Sequence, residues 1–310
     1  RPRGGPTASD LTPTKEPMGQ AINKAFTVLV WALALIAFLS LAFVIYFIVK
    51  EALPTFAEVS LGELLFGQRW MPVDYGLPMG FGIFNFIAGT VYVSLLAMLF
   101  ATIIGLGASL FLSCAASPRT RDLILPFIDL LAGVPSVVYG FVGIVVLLKI
   151  FLRAGVHTGS CVLAAGILLS VMLLPFLVSS CTATMLKAKE RYLPAADALG
   201  VNKWYAIATI VLPASWKNIL FAMVLAIGRA MGETMAVMMV MGNANLFPTL
   251  LGKGETIASL IALEMGTATV GSTHYHALYA AGLVLMVLVF LINIVIMLLH
   301  NRLAKREEEL

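Results

Sequence analysis

The run KAFTVLVWALALIAFLSLAFVIYFIVK (Lys24–Lys50) places no charge between its two terminal lysines. A helix needs about 20 apolar residues to cross a hydrocarbon core, so Ala25–Val49 reads as a membrane span. Working outward, five further stretches have similar length and character, near Phe84–Ser113, Leu123–Leu148, Cys161–Met185, Asn218–Met241 and Ala277–Leu299. The composition agrees. Of 310 residues 60% are hydrophobic and 12% charged, with mean hydropathy +0.98, whereas a soluble domain carries about 25% charged residues. The expected fold is therefore all-α and integral to the membrane, with six spans. Residues 1–24 are expected to be a flexible cytoplasmic tail, 25–299 the membrane domain and 300–310 a second cytoplasmic tail. The opening RPRGGPTASDLTPTKEP lacks an apolar period and reads as a disordered tail or an appended remnant, not a signal peptide.

Lysine and arginine set the orientation. One set of segments carries about fourteen of them (Arg1, Arg3, Lys15, Lys24, Arg119, Arg121, Lys187, Lys189, Arg191, Lys203, Lys217, Arg302, Lys305 and Arg306), the opposite set about five (Lys50, Arg69, Lys149, Arg153 and Lys253). Both termini are thus expected in the cytoplasm. The net charge of +4 follows from these loops and requires no nucleic acid.

The first and last spans are uncharged, but the fifth contains AIGRAMGETMAV (Ala226–Val237). One charge at the bilayer centre costs roughly 2.5–3.5 kcal/mol, so Arg229 and Glu233 require pairing, water or a function. Four residues apart, they are expected to share one helical face and to pair. Gly228 and Gly232 form a G-x-x-x-G suited to close helix packing, and Ala222, Ala226, Ala230 and Thr234 extend a small-residue stripe. A guanidinium with its rigid fork of donors suits an oxyanion. The alternative is a buried ion pair that only fixes helix register.

Other polar positions carry weaker signals. Asp129 is expected near the cytoplasmic start of the third span as a cap or interfacial hydrogen-bonding group. Ser136 and Tyr139, after Pro135, are candidates for the pathway side. Cys114, Cys161 and Cys181 read as packing residues, as do Met231, Met235, Met238, Met239 and Met241. His274 and His276 lack further ligands at metal-site spacing, so no metal site is expected. No G-x-x-x-x-G-K-[ST] is present, and no nucleophile–base arrangement, so the chain is expected neither to bind ATP nor to act as an enzyme alone.

The long inner connection, 186–217, includes KAKERYLPAADALGVNKWYAIATIVLP (Lys187–Pro213). AADALG reads as a short helix closed by Gly200, and NKWYAIATIVLP as a second, stopped by Pro213. Such a knob either lies on the membrane or enters a groove on a partner.

This loop resembles the E-A-A, three residues, Gly, nine residues, I-x-L-P pattern of ABC importer permeases. Ala195, Ala196, Gly200, Ile210, Leu212 and Pro213 match it; Pro194 occupies the glutamate position and Asp197 stands nearby. GRAMGETMAV, AGVPSVVYGFVG (Ala132–Gly143), GFGIFNFIAGTVYVS and ETIASLIALEMG (Glu255–Gly266) are similar to the phosphate-specific (Pst) permeases, the last two to the PstC-type subunit, with coverage from about Trp70 to Leu299. The resemblance implies a six-helix type I ABC importer transmembrane domain in a bacterial or archaeal plasma membrane. It implies a PstA-type permease partner, two ATPase subunits that hold ATP and Mg, and an extracytoplasmic phosphate-binding protein. It assigns the loop to ATPase coupling and Arg229 and Glu233 to the path of inorganic phosphate, with Thr234, Ser136 and Tyr139 beside them. The alternatives are a permease for another oxyanion or small solute, a proton-coupled secondary transporter with Glu233 as the relay, and a membrane sensor or scaffold without flux.

Overall fold

The computed structural model describes residues 17–73 and 78–308, with side chains over 23–73 and 78–298. The expected tail segments 1–16 and 309–310 lie outside the described residues. Residues 1–50 and 51–310 form two units, taken separately.

Among its described residues the first unit is helix α1, Pro17–Ala52, whose last two residues fall in the second. The helix includes residues 17–24, which are helical where a flexible tail is expected. Its mean hydropathy reaches 2.9 with no polar stripe, as expected of a helix with no aqueous face.

The second unit opens with two short helices, α2 (Thr55–Glu58) and α3 (Leu61–Phe66). Ser60 caps α3 by accepting from the Glu63 amide. The two-residue strands β1 (Trp70–Met71) and β2 (Gly80–Phe81) pair antiparallel. Then come α4 (Phe84–Leu110), α5 (Pro118–Ala132), α6 (Ser136–Val142), α7 (Leu148–Arg153) and α8 (Val162–Ala198). After them come α9 (Lys203–Ala206), α10 (Leu212–Gly232), α11 (Met235–Met241), α12 (Ile257–Glu264) and α13 (Thr273–Glu308). Wide π-type turns, Phe111–Ala115, Gly143–Leu147 and Ile207–Val211, extend α4, join α6 to α7 and join α9 to α10.

Six helical runs among the described residues are long and apolar enough to span a bilayer. Several boundaries differ from the sequence reading. The expected third span, 123–148, is divided: α5 ends at Ala132, and the apolar run is Ser136–Arg153. Pro135 cannot donate to the preceding turn and biases Val134 away from helix, so the break falls there, whereas Pro126 sits inside α5. The fifth run begins at Lys203 and ends at Gly232. The final helix continues to Glu308, so residues 300–308, expected as a tail, are helical.

The larger core joins α4, α8, α10 and α11, with Val93, Ala97, Leu169, Leu173, Ala226 and Val240 at its centre. Ala222, Ala226 and Ala230 are buried in it, so the small-residue stripe of α10 serves close packing. Cys114, Cys161 and Cys181 are free and buried. A second core at the start of α4 joins Leu64, Phe81, Ile83 and Phe86 to Leu260 and Leu278.

Candidate functional site

Helix α10 stops one residue before Glu233, which is extended (φ −69°, ψ 125°). Glu233 thus lies just outside α10 and, among the described residues, no ion pair joins it to Arg229. Each charge instead stands beside a helix terminus of complementary sign. Arg229 stands in the last turn of α10, where the carbonyl ends favour a cation, and Glu233 stands at the start of α11, where the free amides favour an anion. The Glu233 Oε1 accepts from the Ala236 amide at 3.3 Å. Thr234 donates to the Gly232 carbonyl at 3.1 Å, holding the break from the other side.

Helix α11 packs on α6. A Cβ at Gly140 would lie 2.5 Å from Met239 Sδ and 3.2 Å from Ala236 Cα, and one at Gly143 would lie 2.7 Å from Val240 Cγ1. This approach brings Tyr139 within electrostatic range of Arg229. The Tyr139 hydroxyl donates to the Leu131 carbonyl at 2.8 Å, closing the α5–α6 break. Ser136, half-buried, opens α6 one turn earlier. Arg229 itself is exposed on the face of α10. Gly228 packs beside α13, where a Cβ would meet Asn293 at 3.7 Å, but nothing lies within 4 Å of one at Gly232. The expected packing motif thus reduces to Gly228.

The sequence reading missed two groups here. Asn293 in α13 leaves its Oδ1 buried without a hydrogen-bond partner; a lone polar residue in the last apolar run was the available signal. Ser179 of α8 donates to Asp129 Oδ1 at 2.5 Å. Asp129 is thus a hydrogen-bonding group, as expected, but near the end of α5 and not at the start of a span.

The inner loop differs from two short helices. Helix α8 continues to Ala198, so Ala195, Ala196 and Asp197 form its last turn. Gly200 takes φ +72°, and the Gly200 and Val201 amides donate to the Asp197 and Ala196 carbonyls, each at 3.0 Å, a Schellman closure. Asn202 then caps the return helix through the Trp204 amide at 2.9 Å. Pro213 does not stop that helix. It lies at the start of α10, where a missing N–H is tolerated, just after the wide turn that contains Ile210. Leu212 is half-buried. The hairpin tip exposes Leu199 (82%), Trp204 (56%) and Tyr205 (65%), none singled out from the sequence although an aromatic pair follows a capping asparagine.

On the opposite end, Glu264 Oε2 accepts from Trp70 Nε1 at 2.9 Å and meets His274 Nε2 at 2.8 Å, tying β1 to α12 and α13. His276 Nδ1 lies 2.8 Å from the Glu51 carbonyl. Glu255, ahead of α12, is buried; burial, and secondarily the charge of Glu264, push its carboxyl up to about 7.

A model of the family described as "Binding-protein-dependent transport system inner membrane component" matches residues 101–309. The chain is 36% identical over 248 residues to "Probable ABC transporter permease protein YqgH" of Bacillus subtilis, covering 79% of each chain. It is 35% identical over 266 residues to "Phosphate transport system permease protein PstC" of Xylella fastidiosa, covering 79% of this chain and 80% of that one. An inward-facing structure of the MetNI methionine ABC transporter superposes with TM-score 0.53 at 18% identity, over 70% of this chain and 92% of that chain.

Proposed function

This chain belongs to the family of binding-protein-dependent transport system inner membrane components, and from that premise we propose that it carries inorganic phosphate through an ATP-driven importer. It is a multi-pass permease subunit with the fold of a type I ABC importer transmembrane domain. The phosphate reading draws on relatives named as phosphate permeases and on one observation that carries it: an exposed guanidinium, Arg229, within an apolar run and unpaired with Glu233. A charge so placed needs a counter-ion or water, and a travelling oxyanion supplies the first.

In this reading a homologous PstA-type permease closes the path against the α6–α11 face. Two ATPase subunits, holding ATP and magnesium, grip the hairpin at Leu199–Tyr205 and its counterpart. An extracytoplasmic binding protein delivers the anion, and both termini are cytoplasmic. The α10–α11 break is the bistable element: a helix divided at Glu233 and Thr234 can re-aim Arg229 without unpacking the α8 core. Glu233, engaged with the Ala236 amide, leaves the guanidinium open to substrate.

The test is uptake of radiolabelled phosphate by cells whose own phosphate importers are deleted. Arg229→Gln is expected to abolish uptake while the importer still assembles. Unchanged uptake would remove Arg229 from the path. Persistence of uptake without ATP would favour a proton-coupled carrier, and equal uptake of sulfate a broader oxyanion permease.

A further inference from the structure

Between α8 and α10, on the hairpin side of the molecule, lies a polar pocket of about 220 Å³ whose lining includes Thr184, Lys187, Arg191, Tyr192 and Asn218. Two larger hollows elsewhere are lined almost wholly by apolar side chains. Lys187 and Arg191 stand four residues apart on α8, so their heads share a face, a spacing at which like charges repel unless an anion lies between them. Neither has a carboxylate at ion-pair distance among the described residues. The nearest acid in sequence, Glu190, is displaced about 100° round the helix from Arg191 and, though three residues from Lys187, makes no ion pair with it. The Arg191 guanidinium lies 5.4 Å from the centre of the Tyr192 ring, which supports the fork and leaves its N–H groups available. Thr184 donates its hydroxyl hydrogen to the Ser180 carbonyl at 3.0 Å, so the charged donors to a guest are Lys187 and Arg191, with the Asn218 amide and the Tyr192 hydroxyl as further lining groups.

The pocket's position connects it to the path. Asn218 and Arg229 are both exposed and both on α10, about three turns apart, hence on one face and separated by roughly 16 Å. Along α8, Thr184 lies about 33 Å from the helix start, near the far edge of a hydrocarbon core of about 30 Å. The tip at Leu199 is about 12 Å beyond Arg191, so the pocket stands between the central guanidinium and the hairpin tip.

We propose that this pocket holds a phosphate group and is the station from which the transported anion leaves after Arg229. The inference rests on the phosphate reading above. Arg191 offers a fork to two oxygens and Lys187 a point charge to a third. A phospholipid headgroup at this depth presents the same chemistry; the face shared with Arg229 favours the free anion.

The experiment measures bound radiolabelled phosphate and bound phospholipid on the intact importer, purified through this chain into phosphatidylcholine nanodiscs with or without phosphatidylglycerol. Relative to wild type, K187Q/R191Q is expected to lose one phosphate equivalent or to bind it at least about tenfold more weakly. R229Q is expected to keep that equivalent, and K187R/R191K, which retains both charges, to restore it. Phosphatidylglycerol enriched on wild type and lost from K187Q/R191Q, with no change in free phosphate, would assign the pocket to a headgroup and overturn the release station. Equal binding of both ligands to wild type and K187Q/R191Q, in an importer that transports phosphate, would overturn the pocket and leave the transport reading standing. A wild-type importer that moves no phosphate would overturn both.

Discussion

The α-carbon of Gly89, on α4, faces the backbone carbonyl of Glu255 so closely that a methyl group at position 89 would collide with that oxygen. The obstructing atom is backbone and cannot swing aside, so the segment leading into α12 would have to move. Gly89→Ala is expected to destabilise the folded chain by about 1–3 kcal/mol, read as a lower melting midpoint in detergent. Gly107→Ala, in the same helix with nothing within 4 Å of the new carbon, is the control and is expected to hold or gain up to about 1 kcal/mol. Equal shifts for the two would show that the approach at Gly89 is not what limits substitution.

The other partner in that contact titrates. Glu255 is 7% exposed and its carboxyl is raised from 4.5 to about 7. Between those values the unfolded chain has released the proton and the folded chain retains it, so the native state binds more protons. Stability from this group is therefore fully present below about pH 4.5 and is lost as pH rises through about 7. Glu255→Gln removes the titration. Its melting midpoint should vary less than wild type between about pH 5 and pH 8 and lie higher at the alkaline end. A wild-type midpoint that matches the variant's at every pH would contradict the raised carboxyl.

Why the break beside Arg229 escaped the sequence is a matter of what local chemistry constrains. Lipid demands an apolar length, so the six runs stand out in composition. A left-handed residue demands glycine, so Gly200 was legible as a helix stop. Nothing in GETM forbids helix, however, and the 3.6-residue period runs straight through Arg229 and Glu233. Beyond the break, α11 lies so close to α6 that Met239 meets Gly140, a tertiary contact that local sequence does not encode. Two prolines, Pro135 and Pro213, misled for a similar reason. Pro126 and Pro194 sit inside helices, Pro135 ends a break and Pro213 begins α10. Which of these roles a proline takes depends on whether a wide turn or a neighbour absorbs the missing N–H.

Glu233 separates charge from capping. A glutamine at 233 still offers an oxygen to the Ala236 amide, whereas alanine does not. Glu233→Ala is expected to cost about 1 kcal/mol of stability, the usual loss of a cap, and Glu233→Gln close to none. If the carboxylate charge also shapes the field seen by an anion at Arg229, Glu233→Gln will lower phosphate uptake at wild-type stability and wild-type importer abundance. That is the expected result, and normal uptake by Glu233→Gln would reduce the residue to a cap.

The hairpin tip separates docking from folding in the same way. Leu199, Trp204 and Tyr205 are exposed, yet the turn beneath them is closed by backbone bonds from Gly200 and Val201 and by the Asn202 cap, none of which uses their side chains. Trp204→Ala should therefore leave the melting midpoint of the isolated chain unchanged. If the tip is the ATPase contact, an aromatic anchor there is worth about 2 kcal/mol, roughly thirtyfold in affinity, and the ATPase should dissociate from the purified importer correspondingly faster. Gly200→Ala acts by the opposite route. Its φ of +72° penalises any side chain by about 1 kcal/mol, so it should lower both the midpoint and ATPase retention. A Trp204→Ala importer that holds its ATPase as firmly as wild type would place the coupling contact elsewhere on the hairpin.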